Sequence, residues 1–216
     1  MIPPVRPRLT EDGTRWLDAA EAKVKADPGA VLALFPAAGR ACGRGPLPET
    51  GWTVDLAVRA TLLTALPLDG EALGELLFDL YTHGDTAERL GVLAGLDALD
   101  GRLGDAGLPI VRDALRTSDT RLIGAALGSY GAARLPAEAY RQAVLKCVFT
   151  GVPLDTVRGL DTRADRELAR MMADFARERA AAGREVPADI WPVVERHPEV
   201  LAELTTELPS LSSGAL

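Results

Sequence analysis

The stretch Arg141–Arg184, RQAVLKCVFTGVPLDTVRGLDTRADRELARMMADFARERAAAGR, limits the possible folds more than any other part of the chain. At its start Ala139, Tyr140, Ala143, Val144, Cys147 and Val148 recur at spacings of one, three and four, which places them on one face of a helix. Gly151 and Pro153 then break the pattern, and Gly159-Leu160-Asp161 reads as a corner. A second, longer helix is predicted over Ala164–Ala182, with Leu168, Met171, Met172 and Phe175 on its buried face. Arg170, Asp174, Arg177 and Glu178 form the opposite, charged face. Helix, tight connection and helix again is the grammar of an all-α protein.

The rest of the chain repeats it. Thr10 caps a first helix to about Ala26, with Trp16, Leu17, Ala20 and Val24 inward. Pro28 opens a second helix, which Pro36 is expected to kink or end. The Gly/Pro-rich GRACGRGPLPETG reads as a loop, and Trp52–Ala65 as an apolar helix stopped by Pro67. Asp69, Asp85 and Asp119 stand as N-caps of further helices, Asp85 with Glu88 three residues on as a capping box. Helices are also predicted over 105–116, after Pro136, and briefly around Trp191. The starts Asp85-Thr-Ala-Glu-Arg-Leu and Asp119-Thr-Arg-Leu share a cap and a following Leu, a spacing that suits a helix-hairpin repeat. No strand alternation emerges. The expected fold is all-α, built of stacked antiparallel helix pairs: a HEAT-like short solenoid or an irregular helical bundle. Residues 1–204 are read as one helical domain and 205–216 as a frayed tail.

Composition narrows the function classes. A formal net charge of −7 disfavours nucleic acid, whose phosphates demand a positive field. No apolar run is long enough for a membrane span, and the first residues lack the apolar core of a signal peptide, so a cytoplasmic protein is expected. Cys42 and Cys147 have no CxxC spacing, and His83 and His197 stand far apart, so no metal or cofactor is expected. Gly39, Gly43 and Gly45 are not followed by GK[ST], and no G-x-S-x-G elbow exists.

Residues 140–192 carry a resemblance. Gln142, Val144, Leu145, Lys146, Phe149, Pro153 and Leu154 match N-Q-M-V-L-K-x-x-F-x-x-x-P-L. Gly159, Leu160, Asp161 and Arg163 match G-L-D-x-R-x-N, and Asp174, Ala176, Glu178, Arg179 and Ala181–Arg184 match D-Y-A-H-E-R-W-A-A-G-R. Upstream, Arg116-Thr117 stands at an R-T-N, and Gly39-Arg40 with Gly45-Pro46-Leu47 at a glycine-rich G-R/K-x-x-G-K-x-P-L. These patterns are similar to those of the EboA family, metabolite traffic proteins of bacterial secondary-metabolite operons. The sequence departs from them at Arg141 and Asp165, each in place of Asn, at Arg177 for His, and at Ala180 for Trp. The N-P-Y-P motif is also missing around Ser129-Tyr130. The resemblance implies a helical protein that serves a biosynthetic cluster, with a pathway intermediate and proteins of the same operon as partners. It carries over no catalytic residue.

Candidate ligand-binding residues are Arg116, Gln142, Lys146, Asp161, Arg163, Asp174, Arg177 and Glu178. Each has a structural alternative. Lys146, with Gln142 one turn before it, either holds an anion or forms a Schiff base, or lays its stem along apolar surface. Asp161 and Arg163 either clamp a ligand near a helix start, or Asp161 or Thr162 caps that helix with support from Asp165. Asp174 and Glu178 either serve as acid and base when buried, or join Arg170 and Arg177 in a solvated ion-pair lattice. Arg116, with Arg40 and Arg59, either grips an anion or is an ordinary structural arginine. The expected function is an accessory protein that binds or delivers a small-molecule intermediate. Two alternatives stand beside it: a cofactor-free isomerase or cyclase, and a helical-repeat adaptor for a protein partner.

Overall fold

The computed structural model describes residues 2–207. The fold is all-α with one small two-stranded ribbon. The chain divides into two compact units, Met1–Arg134 and Leu135–Leu216.

In the first unit, α1 (Glu11–Ala26) starts where Thr10 accepts the Gly13 N–H, and buries Leu17, Ala20 and Val24. A 3-10 turn at Pro28–Ala30 leads into α2 (Val31–Cys42), which includes Pro36, so of the two effects expected of that proline it does not end the helix. Trp52–Thr53, expected as helix, instead forms β2, paired antiparallel with β1 (Pro46–Leu47). Then come α3 (Val54–Thr64), α4 (Gly70–His83) and α5 (Thr86–Leu103). Asp85 and Glu88 form the expected capping box on α5. At α4, Asp69 occupies the N-cap position but makes no cap bond, because its carboxylate accepts Arg102 Nε at 2.8 Å. Arg102 also donates to the carbonyls of Thr64 and Leu68, satisfying groups around the end of α3. The unit closes with α6 (Leu108–Arg116), α7 (Thr120–Ala126), capped by Asp119 as expected, and α8 (Ser129–Arg134), which the sequence pattern did not reveal.

Packing centres on α3 and α5. Helix α3 is buried nearly all round, through Val54, Ala57, Val58, Ala60, Leu62 and Leu63. Helix α5 approaches it through two glycines one turn apart. A Cβ at Gly91 would stand 2.7 Å from Arg59 Cδ, and one at Gly95 would stand 2.7 Å from Leu63 Cδ1. The only charged residues buried in the described core are Asp55 and Arg59, both on α3. Arg59 Nη1 donates to Asp55 Oδ2 at 2.5 Å, and Nε to the Phe35 carbonyl at 3.2 Å. The guanidinium also lies 5.7 Å from the Phe35 ring centroid, and Thr53 Oγ1 donates to Asp55 Oδ1 at 2.6 Å.

The second unit holds α9 (Ala137–Thr150), α10 (Leu160–Arg163), α11 (Arg166–Ala181), α12 (Trp191–Val194) and α13 (Pro198–Glu207), with α11 packed on α9, α12 and α13. The face expected on α9 is buried from Tyr140 to Val148. Gly151 takes the left-handed C-cap conformation, φ 74°, which ends that helix. On α11, Leu168, Met172 and Phe175 are buried as expected, joined by Ala169, Ala173 and Ala176, while Met171 is half-buried. Helix α13 extends through Thr205–Glu207, the first residues of the expected frayed tail; residues 208–216 of that tail lie outside the described residues.

Replacing Arg59 by Ala leaves the Asp55 charge buried and unpaired. That should cost about 3–5 kcal/mol in urea unfolding, and replacing both residues by apolar ones of similar volume should recover most of it.

Candidate functional site

The predicted site residues separate at once. Arg116 ends α6 in the first unit, exposed, while the other seven lie in the second unit.

Gln142 and Lys146 sit one turn apart on α9, Gln142 exposed and Lys146 half-buried. The Gly-Leu-Asp-Thr-Arg corner folds back on the start of that helix. Tyr140 Oη donates to the Arg158 carbonyl at 2.7 Å, and the Arg163 guanidinium stacks 4.2 Å from the Tyr140 ring centroid. Arg163 Nη2 also donates to the Leu135 carbonyl at 2.7 Å. Burial pushes the Tyr140 phenol up to about 12, opposed by the charge of Arg163 and helped by that of Asp161. Asp161 itself is exposed on the short α10, so it does not cap the long helix. That cap is Asp165, which accepts the Leu168 N–H at 3.0 Å.

Asp165 also binds Arg141, Nη1 to Oδ2 at 2.7 Å. Two of the positions noted above as departures from the resembled pattern therefore meet in space as an ion pair. Burial pushes the Asp165 carboxyl upward, but the Leu168 N–H and Arg141 outweigh it and hold the acid below its usual range.

Asp174 lies on a solvated face. Its side chain is 50% exposed and meets Arg177 at 2.8 Å and Arg170 at 3.7 Å. Arg177 continues the chain of charges to Glu207, and Glu178 is exposed. The burial that acid and base work by Asp174 and Glu178 requires is not present. Arg59, the other candidate anion gripper, is 1% exposed and already matched by Asp55.

A concave feature of the second unit lies elsewhere. A cleft of about 290 Å³ is lined by Leu154, Asp155, Leu160, Asp189, Pro192, Val193 and Arg196. One wall is the 3-10 turn after Pro153 together with the start of α10; the other is the turn Ala188–Ile190 running into α12. Buried Leu154, Ile190, Val193 and Val194 anchor the two walls. Two hydrogen bonds cross between them. The Leu154 N–H donates to Asp189 Oδ2 at 2.9 Å, and Arg196 Nη1 donates to the Leu160 carbonyl at 3.1 Å. Sequence reasoning missed this cleft, since these partners are 35 and 36 residues apart and no local pattern joins them. Pro153 and Trp191, which mark the two turns, were the only signals.

Elsewhere, burial pushes the Tyr81 phenol up to about 12, Asp113 adding to the shift and Arg89 opposing it; the Tyr81 hydroxyl has no hydrogen-bond partner among the described residues. Among those residues no group of three or more His, Cys, Asp or Glu is placed to hold a metal, and no helix is long and apolar enough to cross a membrane.

Compared with protein-family models, residues 37–195 match the family described as metabolite traffic protein EboA. Comparison with curated proteins and with solved structures gives no match.

Asp165→Ala should cost about 1 kcal/mol of stability, the usual worth of a lost N-cap. Because the folded-state acid is held below its unfolded value, the stabilisation is complete above the ordinary Asp range and lost as pH falls through the folded value. Urea melts should therefore show a constant gap between the two proteins from neutral pH down to about 4, narrowing at lower pH.

Proposed function

The chain belongs to the EboA family, and from that premise we propose that it is an accessory protein of a bacterial secondary-metabolite pathway that binds or delivers a small-molecule intermediate. The family's description as a metabolite traffic protein supports small-molecule handling. The observation that carries the reading to this chain is the apolar cleft of the second unit, pinned across by two hydrogen bonds. Ligand sites are concave, mostly apolar and furnished with a few placed polar groups.

Binding fits better than turnover. The cleft's carboxylates, Asp155 and Asp189, are exposed, and Lys146 does not line it. Asp55, the carboxylate buried in the described core, is neutralised by Arg59. A cofactor-free isomerase or cyclase would need a buried acid or base at the ligand. Gln142, Lys146, Asp161, Arg163, Asp174, Arg177 and Glu178 then act, in this reading, as the frame of the second unit and as contact points for operon proteins. A cytoplasmic setting and HEAT-like stacking of the helices belong to the same reading. Large apolar side chains that remain exposed, Leu32, Phe78 and Phe149, stand on three different helices, which is weaker support for an adaptor than a continuous patch would be.

The test exposes purified protein to a small-molecule extract of the producing strain, followed by mass spectrometry of bound and free fractions. A compound retained unchanged, and lost from a cleft-filling Leu160→Trp variant, is the expected result. Conversion to an isomer, abolished in Lys146→Ala or Asp174→Asn, would establish the enzyme reading instead. Neither retention nor conversion would leave the adaptor.

A further inference from the structure

We infer that the cleft of the second unit takes a small apolar molecule bearing one protonated amine, with the Asp155 carboxylate as its counter-ion. The inference rests on the small-molecule reading above and adds the ligand's chemical class.

The cleft holds three charged side chains, and two of them are engaged. Asp189 accepts the Leu154 N–H, and Arg196 donates to the Leu160 carbonyl, so each ties one wall to the other. Asp155 makes no hydrogen bond or ion pair with any described residue, although it lines the same cleft. Two carboxylates against one guanidinium leave one negative charge over an apolar floor of Leu154, Leu160, Pro192 and Val193. The chain's net charge of −7 adds a field of the same sign, which draws cations and repels anions.

Occupancy turns this imbalance into selectivity. A ligand filling the cleft strips water from Asp155. With a neutral ligand the carboxylate loses that hydration and gains no partner, which disfavours binding. With an anion, repulsion is added, because two carboxylates line the cleft against one guanidinium, which is already engaged with the Leu160 carbonyl. An ammonium group restores the lost interaction with a charge-assisted hydrogen bond. At about 290 Å³ the cleft lies at the small end of ligand sites, which suits one ring or a short alkyl chain.

The test uses the full chain and three probes of matched shape: 2-phenylethylamine, 2-phenylethanol and phenylacetate. Methyl NMR shifts at Leu154, Leu160 and Val193 give the affinity of each. The amine should bind about fivefold more tightly than the alcohol, the scale of a partly exposed ion pair, and phenylacetate most weakly. Asp155→Asn, which breaks no bond of the fold, should bring the amine to the affinity of the alcohol, and added salt should do the same to the native protein. Phenylacetate binding as tightly as the amine would overturn the inference, as would an amine preference that survives in Asp155→Asn. If none of the probes shifts these methyls, the inference fails by itself. The small-molecule reading then stands when the extract still yields a retained compound, and falls with it when the extract yields none.

Discussion

A guanidinium shut away from water must find every partner inside the protein, and that demand organises the first unit around Arg59. The side chain reaches along its own helix to Asp55 and across to the Phe35 carbonyl and ring, so α2 and α3 are held at one mutual setting. The glycine at position 91 lets α5 close over the same side chain. Such a pair adds little net stability, because removing two charges from water costs about as much as their attraction returns. Its effect is on alternatives: a shifted packing of α3 would strand either charge, at a cost of several kcal/mol. The aliphatic faces supply the driving force, and the ion pair selects one arrangement among the many that aliphatic faces permit.

The second unit uses polar contacts differently, at its surface and its corners. Arg163 lies over the Tyr140 ring while bonding the Leu135 carbonyl, so the turn before α11 returns to the beginning of α9. Asp165 caps α11 and holds Arg141 of α9, joining the same two helices a second time. Arg141 and Asp165 make sense as a pair: either alone would present an unmatched charge between the two helices. With this frame in place, the segment after Pro153 and the segment leading into α12 are left facing each other across a cleft, spanned by Asp189 and Arg196. Residues that resemble the family pattern thus build much of the frame, and two of them, Leu154 and Leu160, also line the concave surface.

Much of the helical layout was legible in the chain. Thr10, Asp85 and Asp119 each begin the helix assigned to them, because a short oxygen-bearing side chain ahead of an apolar period satisfies the free N–H groups of a first turn. The alternation of apolar and charged faces on α11 was equally plain, and its charged face is solvated. The corner before it was harder. Gly-Leu-Asp-Thr-Arg-Ala-Asp offers three capping side chains within five residues, Asp161, Thr162 and Asp165, and which one caps depends on where the backbone resumes its helix. Here a one-turn helix intervenes, and the last of the three does so. Trp52–Thr53 misled for a related reason: local propensity there yields to the strand partner at Pro46–Leu47.

By itself, the sequence determined the class of fold, most helix starts, the buried faces of the helices and membership of the family, since each of these is written within a few turns of chain or in a contiguous motif. Tertiary structure alone decided which charged residues are buried in the core and where the cleft lies. Arg59 looked like a surface arginine able to grip an anion until α2 and α5 closed around it. Asp155, Asp189 and Arg196 carry no signal in the sequence, and they share a cleft only because the turns carrying them are brought face to face. Burial and concavity depend on which distant segments come to cover a residue, and no local spacing records that.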